Sequence, residues 1–121
     1  MSKRVVIIDD EQNLVDLMEL QLQDAGYETV CFLDAKQALT YILDNQVDAI
    51  VSDMQMPGGS GLELIRQVKE SKPNLPTVVI SGFAAQQHDI KGSGVSRLLQ
   101  KPLELAKVAE TVDELLVEKV A

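Results

Sequence analysis

The sequence contains few aromatic side chains, a single cysteine and a single histidine. With only 3% aromatic residues the core must be aliphatic, which suits the Val-, Ile- and Leu-rich strands of a parallel sheet. The lone Cys31 excludes an intramolecular disulfide or a cysteine-rich metal site, so we interpret it as a small core residue of a strand in a reducing cytoplasm. His88 by itself excludes a histidine-rich metal site, and we expect its side chain to be solvated.

The chain also lacks any stretch near the roughly 18 apolar residues of a membrane span, and the apolar run after Lys3 and Arg4 is too short for a signal peptide. We therefore expect a cytoplasmic protein without membrane contact. Its 19 acidic and 11 basic residues give a formal net charge of −8, which disfavours direct contact with nucleic acid. The length of 121 residues fits a single domain over residues 1–121.

What the sequence does contain is a repeated alternation of short β-branched runs with longer helical patterns. The predicted strands are residues 4–8, 28–32, 49–52, 77–80 and 97–100. The predicted helices are residues 11–25, 35–43, a segment from about 60 until Lys72, 84–91 and 104–117. Right-handed crossovers make such a sheet parallel and cover both of its faces. The pattern therefore predicts an α/β fold: a doubly wound (βα)5 three-layer sandwich.

Local signals mark several helix ends. Gly26 is predicted to stop the first helix, and Asp34 is predicted to be the N-cap of the second. The short, polar segment 84–91 is followed by glycines, so we expect that region to be mobile. The apolar residues predicted to face inward on the first helix are Leu14, Leu17, Met18 and Leu22.

Four of the predicted strands end in residues that carry chemistry. They deliver, in chain order, Asp9-Asp10, Asp53, Ser81 and Lys101. Taken singly, the acid pair is as typical of a helix N-cap as of a functional site, and an Asp before a Pro-Gly turn is more typical of turn chemistry. Because the carboxyl ends of parallel strands share an edge, where open α/β sheets bind ligands, we expect these side chains to meet there.

Three carboxylates at one edge repel each other unless a cation joins them, so Asp9, Asp10 and Asp53 predict a divalent metal. Hard oxygen ligands favour Mg²⁺, or Mn²⁺, over zinc. Asp53 would then be a nucleophile toward a phosphoryl group. The Lys101 ammonium and the Ser81 hydroxyl would stabilise the phosphoryl oxygens.

With these residues the chain resembles, over its whole length, the receiver domains of two-component response regulators, the CheY-like superfamily. The matching motifs are Asp9-Asp10 with Glu11, Asp53-Met54-Gln55-Met56-Pro57 with Gly61, Ser81, and Lys101-Pro102. The resemblance implies the flavodoxin-like sheet order 2-1-3-4-5.

The resemblance also implies a set of roles. Asp53 would accept a phosphoryl group from a histidine kinase or a histidine phosphotransfer protein. Mg²⁺ would be bound by Asp10, Asp53 and the backbone carbonyl of Gln55, with Asp9 assisting through water. Such a domain is a phosphorelay signalling switch and not an enzyme, since it catalyses only its own phosphorylation and slow autodephosphorylation.

In that family the output surface is the fourth helix, fifth strand and fifth helix, which would control an effector domain or a target protein and often forms a dimer. Receivers usually carry an aromatic residue three positions before the lysine, where this chain has Leu98. Either Phe83 substitutes for it or the conformational readout differs, and we favour the latter. Arg97, where the family often has an acid, would change the charge of this surface.

Two other classes compete with this interpretation. A haloacid dehalogenase-type phosphatase also uses an Asp nucleophile, a hydroxyl and a lysine, but such enzymes place the nucleophile after the first strand, which here ends in Asp9-Asp10. They also need a cap, for which the chain has no insertion. A pseudo-receiver with a degenerate site predicts losses at the key positions, and none is lost. Whether the chain is free-standing or the receiver of a longer protein is left open by its sequence.

Overall fold

A computed structural model describes residues 3–56, 59–82, 94–101 and 104–120 of the chain. Its main sheet contains five strands, all paired in parallel: β1 (Arg4–Ile8), β2 (Glu28–Phe32), β3 (Ala49–Asp53), β4 (Thr77–Ser81) and β5 (Arg97–Gln100). The strands lie in the order β2-β1-β3-β4-β5. This topology confirms the predicted doubly wound α/β fold with the flavodoxin-like order.

The helices among the described residues are α1 (Gln12–Asp24), α2 (Ala35–Asp44), α3 (Gly61–Ser71) and α4 (Leu105–Val120). They agree with four of the predicted helices to within a few residues. The helix predicted over 84–91, with its expected mobility, lies outside the described residues, as do Phe83 and His88. The sequence patterns did not predict the short antiparallel ribbon that pairs Gln55–Met56 with Gly59–Ser60 between β3 and α3.

Capping residues mark three of the helix ends. Gly26 has a φ of 98°, a left-handed conformation that glycine adopts without a steric penalty, so it ends α1 as predicted. The Asp34 carboxylate accepts a hydrogen bond from the Lys36 backbone N–H at 2.6 Å, which confirms it as the N-cap of α2. The Ser60 hydroxyl caps α3 by accepting from the Glu63 backbone N–H at 3.0 Å.

The core lies in two layers, one on each face of the sheet. Alternate residues of a strand point to opposite faces, so Ile7 packs with α1 and α4 while Ile8 packs with α2 and α3. Every residue of β3 and β4 is buried. These two strands carry Asp53 and Ser81 at their carboxyl ends, so the proposed site sits on the most enclosed part of the sheet.

One predicted inward residue is wrong. Leu17 is 46% exposed, whereas Val15, which the prediction left out, is only 1% exposed. The buried stripe of α1 is centred on Val15, Met18 and Leu22, and at about 100° per residue Leu17 lies on the opposite side of the helix. Cys31 is half-buried on the edge strand β2 and packs against the core layer below α1.

Across the described ranges, no helix combines the length and the apolar character that crossing a membrane requires.

Candidate functional site at the carboxyl edge of the sheet

The strand register brings the predicted site residues to one edge. Ile8 pairs with Ser52, and Asp53 pairs with Ile80, so the residues that follow β1 and end β3 and β4 are neighbours. On the far side, the Lys101 backbone N–H donates to the Ser81 carbonyl oxygen at 2.8 Å. The predicted juxtaposition therefore follows from parallel pairing alone.

Three carboxylates converge at this edge. One oxygen from each of Asp9, Asp10 and Asp53 lies within 4.8 Å of the others. Asp9 is fully buried and Asp53 is 8% exposed, while Asp10 is exposed to solvent. The cluster thus combines two enclosed carboxylates with one that is open to solvent.

Asp9 occupies the least solvated position. Its Oδ1 accepts a hydrogen bond from the Glu11 backbone N–H at 2.9 Å. Its buried Oδ2 has no hydrogen-bond partner among the described residues. Burial raises the Asp9 pKa to about 6; the charges of Asp53 and Asp10 also raise it, against the Glu11 hydrogen bond and the Lys101 charge, which lower it.

Lys101 places a positive charge beside Asp53. Its Nζ lies 3.7 Å from Asp53 Oδ2. A Cβ added at Gly82 would lie 3.7 Å from the Lys101 Cδ, so the lysine stem runs beside the glycine that follows Ser81. Ser81 itself is only 3% exposed. Ser81, at the end of β4, and the Lys101 ammonium therefore lie on the β4–β5 side of Asp53.

The donor set fits a hard divalent cation. An unpartnered buried carboxylate oxygen is costly, and a cation held between Asp9, Asp10 and Asp53 would remove that cost. All three donors are oxygens, which Mg²⁺ and Mn²⁺ prefer, and neither a thiolate nor an imidazole joins them within the described ranges.

The remaining residues of the predicted motifs follow Asp53 and Lys101 in the sequence. Gln55, the predicted backbone ligand, belongs to the short ribbon and pairs with Ser60. Pro57, Gly58 and Pro102 are outside the described residues. The catalytic and metal-binding roles of the individual residues stay predictions.

Sequence reasoning missed one polar residue of the site region. Ser52 is fully buried directly before Asp53, and its Oγ donates to the Asp53 backbone carbonyl oxygen at 2.9 Å. The available signal was a hydroxyl inside an otherwise apolar strand run.

The fold and this edge define a class: a flavodoxin-like α/β protein with an acidic cluster and a lysine at its strand ends. A family model described as the response regulator receiver domain matches residues 5–113. The chain belongs to the response regulator receiver domain family.

Solved structures agree with this assignment. A CheY-like response regulator receiver domain protein from Methanospirillum hungatei is 23% identical, with a TM-score of 0.93 over 99% of this chain and 98% of that chain. The response regulator TrrA from Thermotoga maritima, solved with Mg²⁺ and BeF, is 26% identical, with a TM-score of 0.86 over 94% of this chain and 99% of that one. NtrX from Brucella abortus is 27% identical with a TM-score of 0.89, and the match covers 99% of this chain but 28% of NtrX.

Membership of the family establishes the coarse function. Receiver domains are signalling switches whose general function is phosphoryl acceptance. They bind Mg²⁺ and interact with kinases and effector domains in general. The family assignment excludes the phosphatase alternative.

Proposed function

We propose that Asp53 accepts a phosphoryl group from a histidine kinase or histidine phosphotransfer protein in a Mg²⁺-dependent reaction. One observation carries the proposal: Asp53 shares a 4.8 Å cluster with Asp9 and Asp10 and is ion-paired to Lys101 at 3.7 Å. A nucleophilic carboxylate, an acidic metal site and a cation are the parts that phosphoryl transfer requires.

The chemistry assigns a bond change to each partner. An Asp53 carboxylate oxygen bonds to phosphorus while the bond from phosphorus to the donor imidazole nitrogen breaks. The electron pair of that bond stays on the imidazole, which takes up a proton, and Asp53 becomes an acyl phosphate. Bound Mg²⁺ supplies positive charge that offsets the repulsion between the carboxylates and the phosphoryl oxygens.

The chain's own residues stabilise the group that is transferred. Lys101 leaves its pairing with Asp53 Oδ2 to contact a phosphoryl oxygen, so the ammonium keeps a negative partner before and after transfer. The Ser81 hydroxyl, at the end of a fully buried strand, donates to a second oxygen. Asp10, Asp53 and the Gln55 backbone carbonyl would hold the metal, with Asp9 assisting through water.

The negative charge of the phosphoryl group would change the surface that includes β5. Phosphorylation adds negative charge and acceptor oxygens beside Ser81, which draw the hydroxyl and the loop after it inward. Leu98 is half-buried on β5 opposite Val79, so an aromatic rotamer at this position takes no part in the readout. The face of β5 and α4, with the predicted helix over 84–91 that lies outside the described residues, would then control an effector domain or target protein, or form a dimer, in the cytoplasm.

Intact mass spectrometry tests the acceptor directly. The purified chain is incubated with Mg²⁺ and acetyl phosphate, with and without a chelator, beside Asp53→Asn and the control Asp44→Asn, an exposed acid at the end of α2. We expect one phosphoryl adduct in the parent and the control, and none in Asp53→Asn or with chelator. An adduct that survives Asp53→Asn would contradict the assignment.

A phosphorylated histidine phosphotransfer protein is the second donor. Transfer from it to Asp53 supports the phosphorelay role even if acetyl phosphate is inert toward the chain. Failure with both donors, in a folded protein that binds Mg²⁺, would favour the pseudo-receiver interpretation. Equal sedimentation of the unmodified and phosphorylated chains would count against dimerisation as the signal.

A further inference from the structure

Ser52 has a buried hydroxyl that the proposed reaction does not use. Ser52 is fully buried in β3, and the other residues before Asp53 in this strand are Ala, Ile and Val. Burying a hydroxyl is costly unless it finds a hydrogen-bond partner. The partner is the backbone carbonyl oxygen of Asp53, 2.9 Å from Ser52 Oγ.

This hydrogen bond fixes one side of the peptide group that leaves the acceptor. The Asp53 carbonyl and the Met54 N–H belong to the same rigid peptide plane. The Met54 N–H donates to the Ile80 carbonyl oxygen at 2.9 Å. Hydrogen bonds at both ends therefore fix the orientation of this plane, one from Ser52 and one from β4.

Gly61 packs against the same peptide group. A Cβ at Gly61 would collide with the Asp53 carbonyl oxygen and would lie 3.0 Å from Ser52 Oγ. The Gly61 N–H also donates to the Met54 carbonyl oxygen at 2.7 Å. The first residue of α3 thus packs against the carboxyl end of β3, and the Ser52 hydroxyl lies between them.

We propose that Ser52 is a positioning residue for the acidic site: its hydroxyl orients the Asp53–Met54 peptide, and with it the Asp53 side chain and the approach to Gln55. This inference rests on the proposed function, since Asp53 and the Gln55 carbonyl are the groups it positions. Ser52 is not among the proposed metal ligands, and its hydroxyl is bonded to the Asp53 backbone carbonyl oxygen. Removal of a group that orients a metal ligand typically weakens metal binding by roughly 10- to 100-fold.

The test compares Ser52→Ala with a matched control on the next strand. Thr77 is also fully buried, and its Oγ1 donates to the Gly94 carbonyl oxygen at 2.9 Å, at the opposite end of the sheet from the acidic site. Thr77→Val removes a buried hydroxyl and its hydrogen bond to a backbone carbonyl, together with the hydrogen bond that the hydroxyl accepts from the Ser96 N–H at 3.3 Å. Ser52→Thr keeps the hydroxyl and serves as the rescue variant.

Two quantities are measured for each folded variant: the Mg²⁺ dissociation constant from amide chemical shifts, and the rate of adduct formation with acetyl phosphate at saturating Mg²⁺. For Ser52→Ala we expect about 10-fold weaker Mg²⁺ binding and a slower rate, with both restored in Ser52→Thr. Thr77→Val should lose stability to urea without a change in either quantity. A merely structural role for Ser52 would make the two hydroxyl deletions behave alike.

Parent-like Mg²⁺ affinity and rate in Ser52→Ala overturn the inference, as does an equal loss in Thr77→Val. If Ser52→Thr does not fold, the comparison of the two deletions still decides. A parent protein that binds Mg²⁺ but forms no adduct refutes the acceptor function, while the affinity comparison still tests Ser52. A parent that binds no Mg²⁺ refutes both.

Discussion

Replacing Asp9 with asparagine should stabilise the metal-free protein at neutral pH. Asp9 is fully buried, and burial is the largest cause that raises its pKa from 3.8 to about 6. Ionised Asp9 therefore costs free energy in the folded protein whenever no cation is bound. Asparagine keeps the shape of the side chain, and its Oδ1 still accepts from the Glu11 N–H, but it carries no charge.

The size and sign of this effect follow from linkage. A shift from 3.8 to about 6 is about two pKa units, or about 3 kcal/mol at 1.36 kcal/mol per unit. Below pH 3.8 Asp9 is protonated in both the folded and the unfolded state, so its contribution to stability is fully present. That contribution is lost as the pH rises through about 6. The buried amide of Asp9→Asn also needs a partner for its N–H groups, so we expect a net gain of about 2 kcal/mol at pH 7.5.

Urea unfolding followed by circular dichroism, in chelator at pH 4, 5.5 and 7.5, measures the difference. The stability of Asp9→Asn relative to the parent should increase over this range, whereas Asp44→Asn should show no comparable trend. Mg²⁺ should narrow the difference, since a ligand at 100 times its dissociation constant adds about 2.7 kcal/mol to the protein that binds it, and Asp9→Asn lacks one carboxylate of the cluster. A difference between Asp9→Asn and the parent that does not vary with pH would refute the reasoning.

Three further substitutions test the local structure. Gly61→Ala should lose about 2 kcal/mol of unfolding free energy in urea, because its Cβ would collide with the Asp53 carbonyl. Lys72→Met should lose about 1–2 kcal/mol in the same assay, because its ammonium donates to two backbone carbonyls at the end of α2. Burial and the Glu19 carboxylate raise the Cys31 pKa to about 12, so iodoacetamide should alkylate the folded chain slowly at pH 8, and Glu19→Gln should speed the reaction measured by intact mass.

Each of these has a matched control. Gly82→Ala introduces only an ordinary 3.7 Å contact, so equal losses in the two glycine variants would contradict the packing argument. Lys107→Met removes an exposed lysine whose ion pair is 3.9 Å long, and it should leave stability nearly unchanged. Glu28→Gln, on the same strand as Cys31, should not change the alkylation rate; if it accelerates alkylation as much as Glu19→Gln, the local carboxylate is not the cause.

Much of the fold could be predicted because its strands are short β-branched runs bounded by clear stop signals. The bounds of β1, β2 and β5 match the prediction, and β3 and β4 each extend one residue further. The face of α1 was predicted less well, because Leu17 is apolar yet points to solvent. A leucine on the outer side of an amphipathic helix cannot be told from a core leucine by residue type alone.

The site was predictable to the extent that topology determines it. Parallel pairing places Asp9, Asp53 and Ser81 at one edge whatever the details of packing, and the Lys101 ammonium joins them at 3.7 Å from Asp53. The role of Ser52 was not predictable, because its hydrogen bond depends on the direction of one peptide plane.

The sequence by itself determined the order of strands and helices, the acidic composition of the strand ends and the membership of a family with a known general function. These depend on hydrophobic period and residue type, which are local properties of the chain. Only the tertiary structure decided that Asp9 is fully buried, with one oxygen that has no partner among the described residues, while Asp10 is exposed. Desolvation of a carboxylate depends on which residues from the rest of the chain pack around it. The residues next to it in the sequence do not determine this packing.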